Sequence, residues 1–127
     1  MRPEGPALWL GGQRPRGIGL AVRYAEGWPM PGNEAGNVEL FVTKRDEIRR
    51  ALEAGGRDPD DFTFAAQVTV SSEAASLRRG REAALEFRRV GADHVIIGVR
   101  GRDGPDGLAA MAREVAVPLR EAAGDLA

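Results

Sequence analysis

Short apolar runs alternate along this chain with apolar residues at helical spacing, and their order predicts the architecture. Pro6-Ala7-Leu8-Trp9-Leu10 is a run stopped by Gly11-Gly12, the pattern of a buried strand ending in a tight turn. After Gln13-Arg14-Pro15-Arg16, apolar positions Ile18, Ala21, Val22 and Ala25 return at helical spacing as far as Gly27, and Pro15 suits the first turn, where a missing N–H costs nothing. Gly27-Trp28-Pro29-Met30 predicts a very short strand, and residues 31–36 a loop. Asn37 is placed to cap a helix to about Ala54, with Val38, Phe41, Ile48 and Leu52 on one side, Arg45 interrupting the stripe, and Gly55-Gly56 ending it.

Residues 57–61 read as a turn. Phe62, Phe64, Ala66, Val68 and Val70 then alternate with Thr63, Ala65, Gln67 and Thr69, a strand with one clearly apolar face. Ser71 or Ser72 is placed to cap the next helix, whose Ala74, Leu77, Ala84 and Phe87 keep helical spacing until Gly91. His94-Val95-Ile96-Ile97-Gly98-Val99 is too continuously apolar for a half-exposed strand and reads as a fully buried strand of a parallel sheet. A polar loop at 100–104 leads to a last helix with the stripe Leu108, Met111, Ala112, Val115 and Leu119, which Pro118 should kink or end. The order β-α-β-α-β-α-β-α, without linker or low-complexity tract, predicts an α/β fold of four β/α units in a single domain over 1–127, with right-handed crossovers and a mostly parallel sheet.

Composition narrows this picture. At 127 residues and 43% hydrophobic content the chain supports one core, and it is too short for a complete eight-stranded α/β barrel, which takes about 250 residues. Its 18 basic and 19 acidic residues nearly cancel, so neither nucleic acid nor an anionic membrane surface is an expected partner. No apolar run approaches the roughly 20 residues that span a bilayer, and the first five residues lack the features of a secretory signal, so a soluble, cytoplasmic protein is expected. The absence of cysteine excludes disulfides, thiolate nucleophiles and cysteine zinc sites, and a single histidine argues against an imidazole metal site.

In parallel α/β folds ligands lie beyond the carboxyl ends of the strands, which directs attention to residues 11–16, the segment after Trp28, and residues 100–104. In the first, Gly11 and Gly12 let backbone N–H groups approach an anion, a helix start faces it, and Arg14 and Arg16 add charge-assisted hydrogen bonds, so a phosphate is the candidate ligand. The alternative is that Gly-Gly merely makes the turn and the arginines are solvated; local pattern alone slightly favours it, since this is neither a Walker loop nor the dinucleotide fingerprint. His94 sits at the amino end of its strand, opposite the expected site, and reads as structural, with Asp93 as a partner. Asp103 and Asp106 are explained by a turn and a helix cap, and Gln67 is placed to line a barrel interior. Trp9 and Trp28 either pack or border a flavin-sized pocket. No nucleophile-base pair or two-carboxylate constellation is supported by spacing.

The segments Pro6-Ala7-Leu8-Trp9-Leu10-Gly11-Gly12 and Gly19-Leu20-Ala21-Val22-Arg23-Tyr24-Ala25-Glu26-Gly27-Trp28 resemble the strand, Gly-Gly loop and following helix of the luciferase-like monooxygenase family, particularly its deazaflavin-dependent oxidoreductases. Gly55-Gly56-Arg57-Asp58-Pro59-Asp60-Asp61-Phe62, Gly91-Ala92-Asp93-His94-Val95-Ile96-Ile97-Gly98 and Pro118-Leu119-Arg120 are similar to successive later segments. The resemblance implies the carboxyl-terminal half, roughly strands five to eight, of a (β/α)8 barrel that uses reduced deazaflavin (coenzyme F-420) or FMN on a small organic substrate. It also implies that Gly11, Gly12, Gln13 and Arg14 help seat the cofactor's phosphate-bearing tail. Gln13, Arg14 and Pro15 replace the family's usual small residues, and Glu26 its usual aspartate. No catalytic residue carries over, because the half that supplies most of the ring-facing apparatus is absent, so the chain is not expected to be catalytic alone. A partner is expected, either a complementary half-barrel or a second copy in a homodimer; the rival reading is a non-catalytic binding or assembly module, and a third is a general phosphate-ligand domain.

Overall fold

Alternation in the sequence becomes a two-faced strand in β2 (Thr63–Val70): Phe64, Ala66, Val68 and Val70 are buried in the core, whereas Thr63, Gln67 and Thr69 on the opposite face are half-buried. In this computed structural model, which describes residues 5–30, 37–100 and 104–125, β2 pairs in parallel with β1 (Gly27–Met30) on one side and β3 (His94–Val99) on the other. Register sets Trp28 beside Phe64 and Gln67 beside Ile96. The expected loop at 31–36 and Asp103 lie outside the described residues.

The strand expected at 6–10 is reduced to one parallel bridge between Trp9 and Gly27. Leu10 N donates to Gly27 O at 3.1 Å and Glu26 N to Leu8 O at 2.8 Å, so the segment takes the position of a fourth strand beside β1. It stays short because Pro6 has no N–H to give and Gly11-Gly12 turn the chain away. The strand order therefore follows the chain order, as four successive β/α units require.

Helices α1 (Pro15–Tyr24), α2 (Val38–Ala54) and α3 (Ala74–Arg89) connect the strands, and their buried residues, among them Ile18, Ala21, Phe41, Ile48, Leu52, Ala84 and Phe87, form one cluster with the apolar face of the sheet. Trp28, Phe41 and Phe87 join β1, α2 and α3 through ring contacts of 6.3 and 5.6 Å. Asn37 caps α2 as its sequence predicts, its side-chain oxygen accepting from Leu40 N at 3.3 Å, and Gly56 beyond the other end takes φ +78°. Arg45, the break in the α2 stripe, reaches across to donate to Val90 O at the end of α3 and lies over the Phe41 ring. Arg57 does the same for α1, donating to Val22 O at 2.7 Å while covering Phe62. Both guanidiniums thus satisfy carbonyls that a helix terminus leaves open.

Three expectations are corrected. At α3 the N-cap is Glu73, without a side-chain bond; Ser71 instead links the turn, its N–H donating to Ser76 Oγ at 2.9 Å and its Oγ accepting from Glu73 N at 3.4 Å. Of the two outcomes expected at Pro118, an end does not occur: the last helix loses its regular α geometry just before the proline, running from α4 (Gly104–Met111) through a π-helical turn (Ala112–Ala116) into α5 (Val117–Asp125). The wider turn accommodates a ring that would otherwise strike the carbonyl four residues back. β3, expected to be fully buried, has His94 exposed and the rest half-buried: it is an edge strand, and Val95, Ile97 and Val99 touch the core from its margin.

Helix α3 packs on β2 at buried Gly80, where a Cβ would run into the Val70 side chain. Helix propensity alone favours Gly80→Ala by about 1 kcal/mol, but overpacking against a β-branched neighbour costs about 1–3 kcal/mol. Urea denaturation of Gly80→Ala is expected to show a net loss of stability, and Gly80→Val a larger one.

Candidate functional site

Leu10 is the last residue of the first segment to pair with β1, and there the chain turns through Gly11, Gly12 and Gln13 into α1. Gly12 adopts φ +124°, a conformation L side chains rarely take. A Cβ on Gly12 would stand 3.3 Å from Gly17 Cα, and one on Gly17 would stand 3.2 Å from Gly12 Cα, so the turn packs directly on the first turn of α1. From inside the core, Trp28, with no exposed surface, donates its Nε1–H to Gly12 O at 2.8 Å. With its carbonyl pulled inward, the turn presents its other face to solvent.

The helix start beside it is open. Arg14 is the N-cap, with no side-chain capping bond; Pro15 brings no N–H, and the first turn holds no acidic residue. The amides of Arg16 and Gly17 have no partner within the helix. Arg14 and Arg16 are exposed, Gln13 is half-buried, and neither arginine makes an ion pair with a described residue. The consecutive residues Gly11, Gly12, Gln13 and Arg14 lie at the carboxyl end of the first strand position.

Other candidates are assigned differently. Glu26, in place of the family's usual aspartate, accepts from Leu8 N at 2.6 Å and so ties the first segment to the end of α1, away from the turn. Asp93 does not pair with His94: its Oδ2 accepts from Phe64 N at 2.9 Å, and its own N–H donates to Phe64 O at 2.8 Å. His94 packs edge-on against Trp9, ring centroids 5.2 Å apart, while the Trp9 indole lies over Gly27, where a Cβ would come within 2.7 Å of it. Both are structural, at the amino ends of the strands. Trp28 packs rather than bordering a pocket.

A groove of about 710 Å³ opens at the carboxyl ends of β2 and β3, lined by Ser71, Ser76, Arg79, Glu82 and Arg100 among others. Its end of the sheet is the one the sequence singles out, but Arg79 and Glu82 sit on α3 at positions that read only as a solvated face. A hydroxyl pair five residues apart just after a strand was the available signal.

The family model for luciferase-like monooxygenase matches residues 1–122. The chain belongs to the luciferase-like monooxygenase family. No curated protein matches it. Among solved structures, this luciferase-like chain is similar to a coenzyme F-420-dependent tetrahydromethanopterin reductase from Methanopyrus kandleri, with 14% identity, TM-score 0.66, and 89% of this chain covering 51% of that one. It is also similar to the long-chain alkane monooxygenase LadA, with 15% identity, TM-score 0.67, and 94% covering 42%. Riboflavin lyase RcaE, solved with modified FMN and substrate riboflavin, gives 13% identity, TM-score 0.66, and 93% covering 43%. The fold is that of half a (β/α)8 barrel, and the chain spans about half the length of the solved structures it matches. Among the described residues no helix is long and apolar enough to cross a membrane.

A phosphate-bearing cofactor tail fits the Gly12 turn of this luciferase-like domain. The close Gly12–Gly17 approach, which a Cβ on either residue would crowd, sets the turn directly against the first turn of α1, whose neighbouring donors are backbone amides and the Arg14 and Arg16 guanidiniums, with no carboxylate in that turn. Because Trp28 reaches the Gly12 carbonyl from the core, Trp28→Phe should keep the ring packing yet lose about 1–2 kcal/mol of stability. Amide exchange at Leu10 and Ile18, whose hydrogen bonds flank the turn, should quicken while that of β2 stays near wild type, which hydrogen-exchange mass spectrometry reads.

Proposed function

We propose that this chain is the carboxyl-terminal half of a flavin- or deazaflavin-dependent oxidoreductase barrel, cytoplasmic, and not catalytic alone. Gly11, Gly12, Gln13 and Arg14 hold the phosphate-bearing tail of reduced coenzyme F-420 or FMN. The observation that carries this reading is the Gly12 turn, packed on Gly17 and open to solvent beside an uncapped helix start, in a chain of this family. Two of the similar structures are named for coenzyme F-420 and FMN respectively, which supports the cofactor class and leaves both in play.

When bound, such a cofactor supplies hydride transfer or oxygen activation toward a small organic substrate. The residues of this chain bind and orient: the amides of the turn and of the first turn of α1 donate to phosphate oxygens, and Arg14 adds a charge-assisted pair. A complementary set of β/α units supplies the pocket over the reactive ring, since this chain spans only about half of the similar enzymes.

Titration of the chain with FMN and with F-420, followed by absorbance, tests the reading, alone and with the amino-terminal half of a full-length relative added. Binding of one cofactor is expected, weakened about 5–10-fold by Arg14→Ala, the worth of roughly 1 kcal/mol in one exposed charge-assisted contact. Absence of binding in both formats overturns it. Equal binding of simple phosphate esters would reassign the turn to general phosphate recognition.

A further inference from the structure

We propose that the groove between α2 and α3 is a second ligand site, apart from the Gly12 turn, and that it takes a small aliphatic molecule bearing both a carboxylate and an ammonium group. The proposal is independent of the Gly12 turn and of any cofactor held there.

The groove, of about 710 Å³, lies over the carboxyl end of β2, the side of the sheet where parallel α/β folds place their ligands. One wall is the face of α3 on which Ser76, Arg79, Ala83 and Glu86 recur at helical spacing; Val38, at the start of α2, and Arg100, just past β3, complete the lining. α2 and α3 are the two helices that flank the central strand, so these walls stand away from both margins of the sheet. The volume falls within the range of small-molecule sites, roughly 300–1,000 Å³.

Its chemistry points to the class of ligand. The floor is apolar, with Val70 and Ala83 buried and Val38 half-buried, which suits a short hydrocarbon skeleton. The walls carry Arg79 and Arg100 against Glu73, Glu82 and Glu86. Glu86 already pairs with Arg89 at 2.6 Å, which leaves two charges of each sign. None of these four makes an ion pair with a described residue, although Arg79 and Glu82 stand one helical turn apart, where such pairs form readily. A ligand of one sign meets as many repelling charges here as attracting ones, whereas a ligand with both can face each group with its opposite. Ser71 Oγ and Ser76 Oγ each already accept from a backbone N–H, of Glu73 and Ser71 respectively, so each hydroxyl is left to donate, and a carboxylate is the strongest acceptor for it. The Gly12 turn differs in having no acidic residue in the helix turn beside it, so a bare anion favours that turn and an amphoteric molecule the groove.

Probes that share one hydrocarbon chain isolate the charges: norleucine and ε-aminohexanoate carry both signs, hexanoate and hexylamine one each. In calorimetric titration of the wild-type chain at low salt, where exposed charges are least screened, at least one of the two amino acids should bind about 2–5-fold more tightly than either single-charge probe. Backbone amide shifts in NMR spectra should fall at Val38, Ser71, Ser76 and Arg79. Arg79→Gln and Glu82→Gln, both at exposed positions, should leave circular dichroism unchanged and remove the preference in opposite ways. Glu82→Gln should tighten hexanoate, and Arg79→Gln should tighten hexylamine. Equal binding of the four probes, preference for a single-charge probe, or no binding overturns the proposal. Shifts confined to Gly12 and Arg14, or a preference that survives both substitutions, overturn it as well.

Discussion

Parallel pairing on both sides of β2 governs the rest of the molecule. Parallel neighbours cannot be joined by a hairpin, so every connection must cross over the sheet, and each here does so through a helix. With strands added in chain order, the helices fall on one face, where Phe64, Ala66, Val68 and Val70 receive them. The same constraint puts every strand's carboxyl end at one side of the sheet. That side holds the Gly12 turn and the groove beside Ser71 and Arg100, whereas the amino ends hold the Asp93–Phe64 and Trp9–His94 contacts that fasten strands together.

The candidate site shows how a core residue can shape a surface turn. Gly12 is exposed enough to meet a ligand, yet its carbonyl is held by an indole with no solvent contact. Trp28 also stacks on Phe41, which meets Phe87 edge to face. The turn is therefore referenced to the packing of β1, α2 and α3, and not only to its own two flanks. Preorganisation of this kind lowers the ordering cost of binding an anion with backbone amides.

Burial is uneven in a way that a closed barrel would not be. β2 is covered, β3 is an edge, and among the described residues large apolar side chains remain exposed at the two margins but not on α2 or α3. Edge strands are normally blunted by charge or proline; Pro6 serves one margin, but β3 has no such device between His94 and Val99.

Local chemistry decided much of this protein from sequence alone. The period-two run at Phe62–Val70, the Asn37 cap, the proline at the start of α1 and the Gly11-Gly12 turn act within a few residues, so their signals survive without knowledge of neighbours. The proposed site at Gly11, Gly12, Gln13 and Arg14 is read from the same kind of local signal. What needed the tertiary structure depends on residues far apart in the chain: Arg45 reaching the end of α3, Asp93 turning to Phe64 rather than His94, Trp28 holding Gly12, and β3 left at an edge. Sequence pattern reports how apolar a segment is, but only the arrangement of strands determines whether there is anything beside it to bury it.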